Sequence, residues 1–145
     1  VTPKDELRSA FLATSYGTTH DRFRLKSEPG APCPLFEDGA PWAILTAHNP
    51  DAVQQAATLN DEAQQRLMAR LGGDRTLTGV NGEGEWAEAS VIVFGMSLSE
   101  ALRLGREFGQ VAVLHGVGQR VDLVWCASGQ AEPFWVSGFR ETDAE

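Results

Sequence analysis

A chain of 145 residues, 42% of them apolar, has the size of one domain and can bury a continuous core without staples. Its formal charge of -8, from 12 basic and 20 acidic residues, repels phosphate backbones and anionic membranes at long range, which disfavours nucleic acid as a partner. Cys33 and Cys126 lie far apart, with no CxxC pair and no histidine at ligand spacing, so they read as reduced thiols rather than a disulfide framework or zinc site.

No run of eighteen apolar residues and no hydrophobic leader occurs, so a cytoplasmic protein without membrane contact is expected. Residues 1–145 are expected to form one globular domain, with 140–145 a frayed tail.

At the start, Thr2, Pro3, Asp5 and Glu6 supply an N-cap, a proline at the first helical position and acids where the helix dipole favours them. A helix is expected to about Ala13, packing through a stripe of Leu7, Ala10 and Phe11, with Thr14, Ser15 and Tyr16 at its exit. Residues 21–26 then alternate, with Arg22, Arg24 and Lys26 on an exposed face and Phe23 and Leu25 on a buried one. The three cations read either as an anion site or as an edge strand whose like charges discourage pairing between molecules. Pro29, Gly30, Pro32 and Pro34 enforce a loop, expected to act as a flap or mobile cover that Leu35 and Phe36 pin to the core.

Residues 42–47 form a nearly continuous apolar run, the pattern of an interior strand, and Thr46, His48 and Asn49 stand at its end. Pro50 is expected to open a long amphipathic helix over residues 51–71, broken near Leu59 and Asn60 and stopped by Gly72 and Gly73. Residues 75–80 and 86–94 read as a hairpin about Asn81-Gly82-Glu83-Gly84, which places Trp86, Glu88, Ser90, Ile92 and Phe94 on one face. Ser97 and Glu100 make a capping box for a helix that Gly109 ends. Residues 110–115 and 120–126 read as a second hairpin turning at HGVG, and the segment 132–139 packs back on it. The sum is an α+β domain: a single mainly antiparallel sheet of about five or six strands with about three helices packed on one face.

The segments TSY at 14–16, WAILTAHNP at 42–50, WAEAS at 86–90 and FGQVAV at 108–113, together with Asn60, resemble a bacterial family of unknown function, domain of unknown function 3293. The likeness lies in the order and spacing of the pieces and runs from the first helix to about Val124. It implies the architecture and no activity. His48 departs from the family's pattern, so the resemblance assigns its imidazole no role.

Two constellations carry the functional expectation. Glu88, with Ser90 and Gln110, reads as an acid or base beside an orienting amide, or as a structural acceptor of backbone and indole N–H groups. Thr14, Ser15, Tyr16, Thr46, His48 and Asn49 all stand at ends of elements; they line a pocket for a small polar ligand if those ends meet, and otherwise cap the helix after Pro50 and close the sheet edge.

The leading expectation is a noncatalytic binding or interaction domain with a polar pocket near TAHNP, its partner a small polar ligand or another protein. The alternatives are a hydrolase using Glu88 on a small polar or nucleotide-like substrate, and nucleic-acid binding through Arg22, Arg24 and Lys26. No HExxH, GxxxxGKS, GxGxxG or GxSxG pattern occurs, so neither a metal nor a cofactor is expected. The one conceivable metal set is His48, Glu88 and His115.

Overall fold

The computed structural model of the chain describes residues 2–140. Its first helix, α1 (Pro3–Ala13), starts where the sequence places it: Thr2 Oγ1 accepts from the Asp5 amide, and the Asp5 carboxylate accepts from the Thr2 amide. The strands that follow are β1 (Tyr16–Gly17), β2 (Asp21–Lys26) and β3 (Pro41–Leu45). After α2 (Ala57–Arg70) come the hairpin β4 (Arg75–Asn81) and β5 (Glu88–Phe94), then α3 (Leu98–Glu107) and a three-stranded meander of β6 (Ala112–Val117), β7 (Arg120–Trp125) and β8 (Ala131–Arg140).

All eight strands join one sheet in the order β1-β2-β8-β7-β6-β3-β5-β4, and every pairing is antiparallel. The α+β class and the three helices are as expected; the strand count of five or six is corrected to eight. The two additions are β1, too short to leave a periodic signature, and β8, whose Pro133 argues against a strand in sequence. That proline is tolerated because the segment 131–140 pairs with β7 first and with β2 only from Trp135 onward. Arg140 belongs to β8 and pairs with Asp21, so it is not part of a frayed tail; residues 141–145 lie outside the described residues.

Alternation along the strands divides the apolar residues between two faces. On one, Phe36 stacks on Trp42 with ring centroids 3.8 Å apart, and Phe23 meets both edge-on at 5.5 and 5.7 Å. Helix α1 packs on this face through Leu7, Phe11 and Leu12. On the other, Ala43, Leu45, Val91 and Val93 lie beneath Ala63 and Leu67 of α2 and Ala101 and Leu104 of α3. The helices therefore cover both faces, not one.

Strong curvature brings the two edges of the sheet together, giving a nearly closed barrel. At the seam the Gly82 amide donates to the Ser15 carbonyl at 2.8 Å, and a Cβ on Gly79 of β4 would lie 3.1 Å from the carbonyl oxygen of Gly17 in β1. Arg22 spans this seam. Its side chain is buried, donating from Nη1 to the Val80 carbonyl at 2.6 Å and from Nη2 to Ser15 Oγ at 2.7 Å and the Gly82 carbonyl at 3.1 Å. The expected stripe of three exposed cations is thus corrected. Only Lys26 is fully exposed, while Arg24 pairs with Glu83 and lies over the Phe139 ring. Alternation alone placed Arg22 outward; closure of the sheet supplied carbonyls there for a guanidinium to satisfy.

The proline-rich loop is sewn down. Gln119 exchanges hydrogen bonds with both the amide and the carbonyl of Cys33, Gly138 donates to the Ala31 carbonyl, and Cys33 and Phe36 are buried. The expected helix over 51–71 shrinks to α2, preceded by a single 3-10 turn at Pro50–Ala52 and an extended stretch. The HGVG turn moves also, since His115, Gly116 and Val117 all belong to β6. Among the described residues, no helix is long and apolar enough to cross a membrane.

Helix α1 is clamped to the meander by Glu132, whose Oε1 accepts from Arg8 Nε at 2.7 Å and whose Oε2 accepts from the Trp125 indole at 2.8 Å. These bonds, the arginine's first, hold the Glu132 carboxyl below its ordinary value. A carboxylate with a folded pKa below its unfolded one stabilises fully above the unfolded value, about pH 4.3, and loses that contribution as pH falls through the folded pKa. Because Arg8 is 43% exposed, the clamp is worth only about 1 kcal/mol. Glu132→Gln is expected to lose that amount at pH 7 and to converge on the wild type as pH falls through the folded pKa, read by urea denaturation across pH.

Candidate functional site

Antiparallel pairing puts the ends of β3 and β4 and the starts of β5 and β6 on one edge of the sheet, facing α1. There the fold leaves an open cavity of about 610 Å³, within the range of small-molecule sites. Its apolar walls come from Leu7 and Phe11 of α1 and from Ile44, Ala112 and Leu114 of the sheet. Trp86, from the 3-10 turn before β5, contributes an indole that is 81% exposed.

Seven of the sequence-derived site residues line this one space: Thr14, Tyr16, Thr46, His48, Asn49, Glu88 and Gln110. TSY, TAHNP and WAEAS, distant in sequence, thus meet. Ser15 and Ser90 do not line it. Both are buried, Ser15 between Arg22 and Glu83 at the seam and Ser90 opposite Gly79 in the β4–β5 ladder. His115 is elsewhere too, its Nε2 2.9 Å from the Met96 carbonyl, so no set of His48, Glu88 and His115 assembles. Among the described residues no three His, Cys, Asp or Glu side chains cluster as metal ligands.

Asn49 does not cap a helix. It adopts φ 48°, and Asp51 and Ala52 follow at 59° and 60°, left-handed backbone that an alanine adopts at a cost of about 1 kcal/mol or more. An amide network holds this segment. The Asn49 amide N–H donates to Asn60 Oδ1, its Oδ1 accepts from the Gln55 amide and from Asn60 Nδ2, and its Nδ2 donates to Glu88 Oε1 at 2.8 Å. Gln110 Nε2 donates to the His48 carbonyl, and the Asp51 amide to the Gly109 carbonyl. In the sequence Asn60 reads as a break in the helix and a mark of the family resemblance, Asn81 as a turn residue, and neither they nor Gln55 as site residues. Polar residues at positions reserved for an apolar stripe were the available signal for Asn60, which is 8% exposed.

The three hydroxyls in the lining all have their protons placed. Thr14 Oγ1 donates to the Ala10 carbonyl, Tyr16 Oη to the Phe11 carbonyl and Thr46 Oγ1 to the Ala89 carbonyl, at 2.7 to 2.8 Å. Burial, reinforced by the negative charge of Glu88, pushes the Tyr16 phenol well above its ordinary value. Tyr16 is therefore neutral and fixed at any ordinary pH. Two polar atoms of lining residues are buried without a protein partner, His48 Nε2 and Asn81 Oδ1. Such atoms are rare in folded proteins, because an unmet buried polar group costs about 1–3 kcal/mol.

An α+β domain whose antiparallel sheet curls around an aromatic core and leaves one end open as a lined cavity defines the class of this protein. Residues 45–113 match the model of the family described as "Protein of unknown function (DUF3293)", which bears out the resemblance drawn from the sequence. That span runs from the end of β3 into β6 and contains most of the amide network. Neither a curated protein nor a solved structure matches the chain.

Proposed function

We propose that this domain binds a small molecule in the cavity between α1 and the open end of the sheet, without transforming it. The observation that carries this reading is the convergence of TSY, TAHNP and WAEAS on one apolar-walled space. A bound molecule covers the Trp86 indole, taking exposed aromatic surface out of water.

Binding is favoured over hydrolysis by the state of the hydroxyls. An activated nucleophile needs its proton shared with a base, and Thr14, Tyr16 and Thr46 instead donate to main-chain carbonyls. Neither cysteine lines the cavity, and burial pushes the Cys33 thiol up to about 11. The nucleic-acid alternative required three cations on one exposed face, and Arg22 is buried at the seam of the sheet.

Ala10 is exposed and lines the cavity, so Ala10→Trp fills the space without entering the core. Ligand-observed NMR with a fragment library should find fragments that bind the wild type saturably and lose binding in Ala10→Trp. Fragments that bind both proteins alike, or no saturable binding at all, sink the proposal. A fragment that the wild type consumes over the titration shows catalysis and returns the hydrolase alternative, with Glu88→Gln as its check.

A further inference from the structure

The charged side chains around the cavity are all acidic. No lysine or arginine lines it among the described residues, whereas Asp61, Glu85 and Glu88 do. Four amide nitrogens of the lining are already engaged, Asn49 with Glu88, Asn60 with Asn49, Gln55 with Asn60 and Gln110 with the His48 carbonyl, while Gln54 and Asn81 also line the space. The hydroxyl protons are engaged too. What faces the space is a carboxylate and an aromatic ring.

Asn81 and Glu88 are direct cross-strand partners at the end of the β4–β5 ladder, so their side chains leave the same face of the sheet side by side. Glu88 Oε1 takes a bond from Asn49, which orients the carboxylate and leaves Oε2 without a donor among the described residues. A donor-rich group can meet Glu88 Oε2, with the Trp86 face available to it as a cation–π surface at the mouth. An anion meets three carboxylates there and no counter-charge.

We propose that the cavity selects a small organic cation, an ammonium or amidinium group carried on an apolar body, with Glu88 and the Trp86 face receiving the charged head and Phe11, Ile44 and Leu114 the body. This rests on the reading of the cavity as a binding site and names the class of molecule it takes. A nucleotide-like or other anionic ligand is disfavoured by the same charges.

The test is isothermal titration of the wild type with phenethylamine, 2-phenylethanol and 3-phenylpropionate, molecules of similar body that differ in head-group charge. The amine is expected to bind about tenfold or more tightly than the alcohol, with the carboxylate weakest. Glu88→Gln keeps an acceptor for Asn49 and is expected to reduce the amine's affinity about tenfold while leaving the alcohol's unchanged. Asp61→Asn, at an exposed rim position, is expected to weaken the amine only at low salt. If the alcohol or carboxylate binds as tightly as the amine, and Ala10→Trp abolishes both, the cavity is a binding site but the charge selection is wrong. If all three probes bind the wild type and Ala10→Trp equally, or none binds, the underlying site reading fails with it.

Discussion

Replacing Arg22 with alanine is expected to cost about 3–5 kcal/mol of stability, the largest loss of any single substitution at a polar residue in this chain. The guanidinium donates to main-chain carbonyls on both edges of the sheet, Gly17 and Thr18 on one side and Val80 and Gly82 on the other. Those carbonyls cannot be removed with it, so even an apolar side chain of similar volume leaves them buried and unmet; the usual compensation, in which both partners of a buried polar pair are replaced, does not apply. Lysine keeps the charge but presents a point rather than a planar fork, so Arg22→Lys is expected to recover less than half of the loss. At roughly 3–4 °C per kcal/mol for a domain of this size, Arg22→Ala should melt about 9–20 °C below the wild type. Amide exchange should localise the damage to β1 and β4, with Gly82, which donates to Ser15 across the seam, exchanging far faster. A melting point within a few degrees of the wild type would show that the guanidinium does not hold the seam.

Gly116→Ala should cost about 2–3 kcal/mol, at the upper end for one added methyl. Gly116 pairs with Trp42 across β3 and β6, and the fully buried indole lies over it, anchored by a hydrogen bond from Nε1 to the Gly118 carbonyl at 2.9 Å. A Cβ on Gly116 would come within 2.4 Å of Trp42 Cε2 and Cζ2 and 2.7 Å of the Arg120 carbonyl. The indole cannot move away, because its other face is stacked on Phe36, and the carbonyl belongs to the backbone of β7 at the hairpin turn. Thermal melting should fall by about 6–12 °C, with near-ultraviolet circular dichroism reporting a disturbed Trp42. Substitution with no loss of stability would mean that the Phe36–Trp42 stack is looser than its geometry indicates.

The elements that were legible in the sequence are those whose signals are local. Thr2, Pro3 and Asp5 mark a helix start by chemistry within one turn, and Ser97 does the same for α3, where its hydroxyl accepts from the Glu100 amide. The apolar run from Trp42 reads as an interior strand because both its faces are covered, and β3 indeed runs between β5 and β6. Misreadings fall where a distant partner decides. Residues 51–56 have helical spacing, yet the side chains of Asn49 and Asn60 draw the backbone into left-handed turns and delay α2 to Ala57. In β8, Pro133 breaks the strand pattern, and two neighbouring strands restore it.

By itself the sequence determined the α+β class, the three helices, six of the eight strands and the residue types gathered at the ends of β3 and β5. Each of those follows from periodicity, capping or turn chemistry, which act over a few residues. Only the tertiary structure decided that the sheet curls until its edges meet, that Arg22 is buried where they do, and that Tyr16, Asn49 and Glu88 look into one cavity while Ser15 and Ser90 do not. Curvature accumulates over the twist of all the strands together, so no segment of the chain carries it alone.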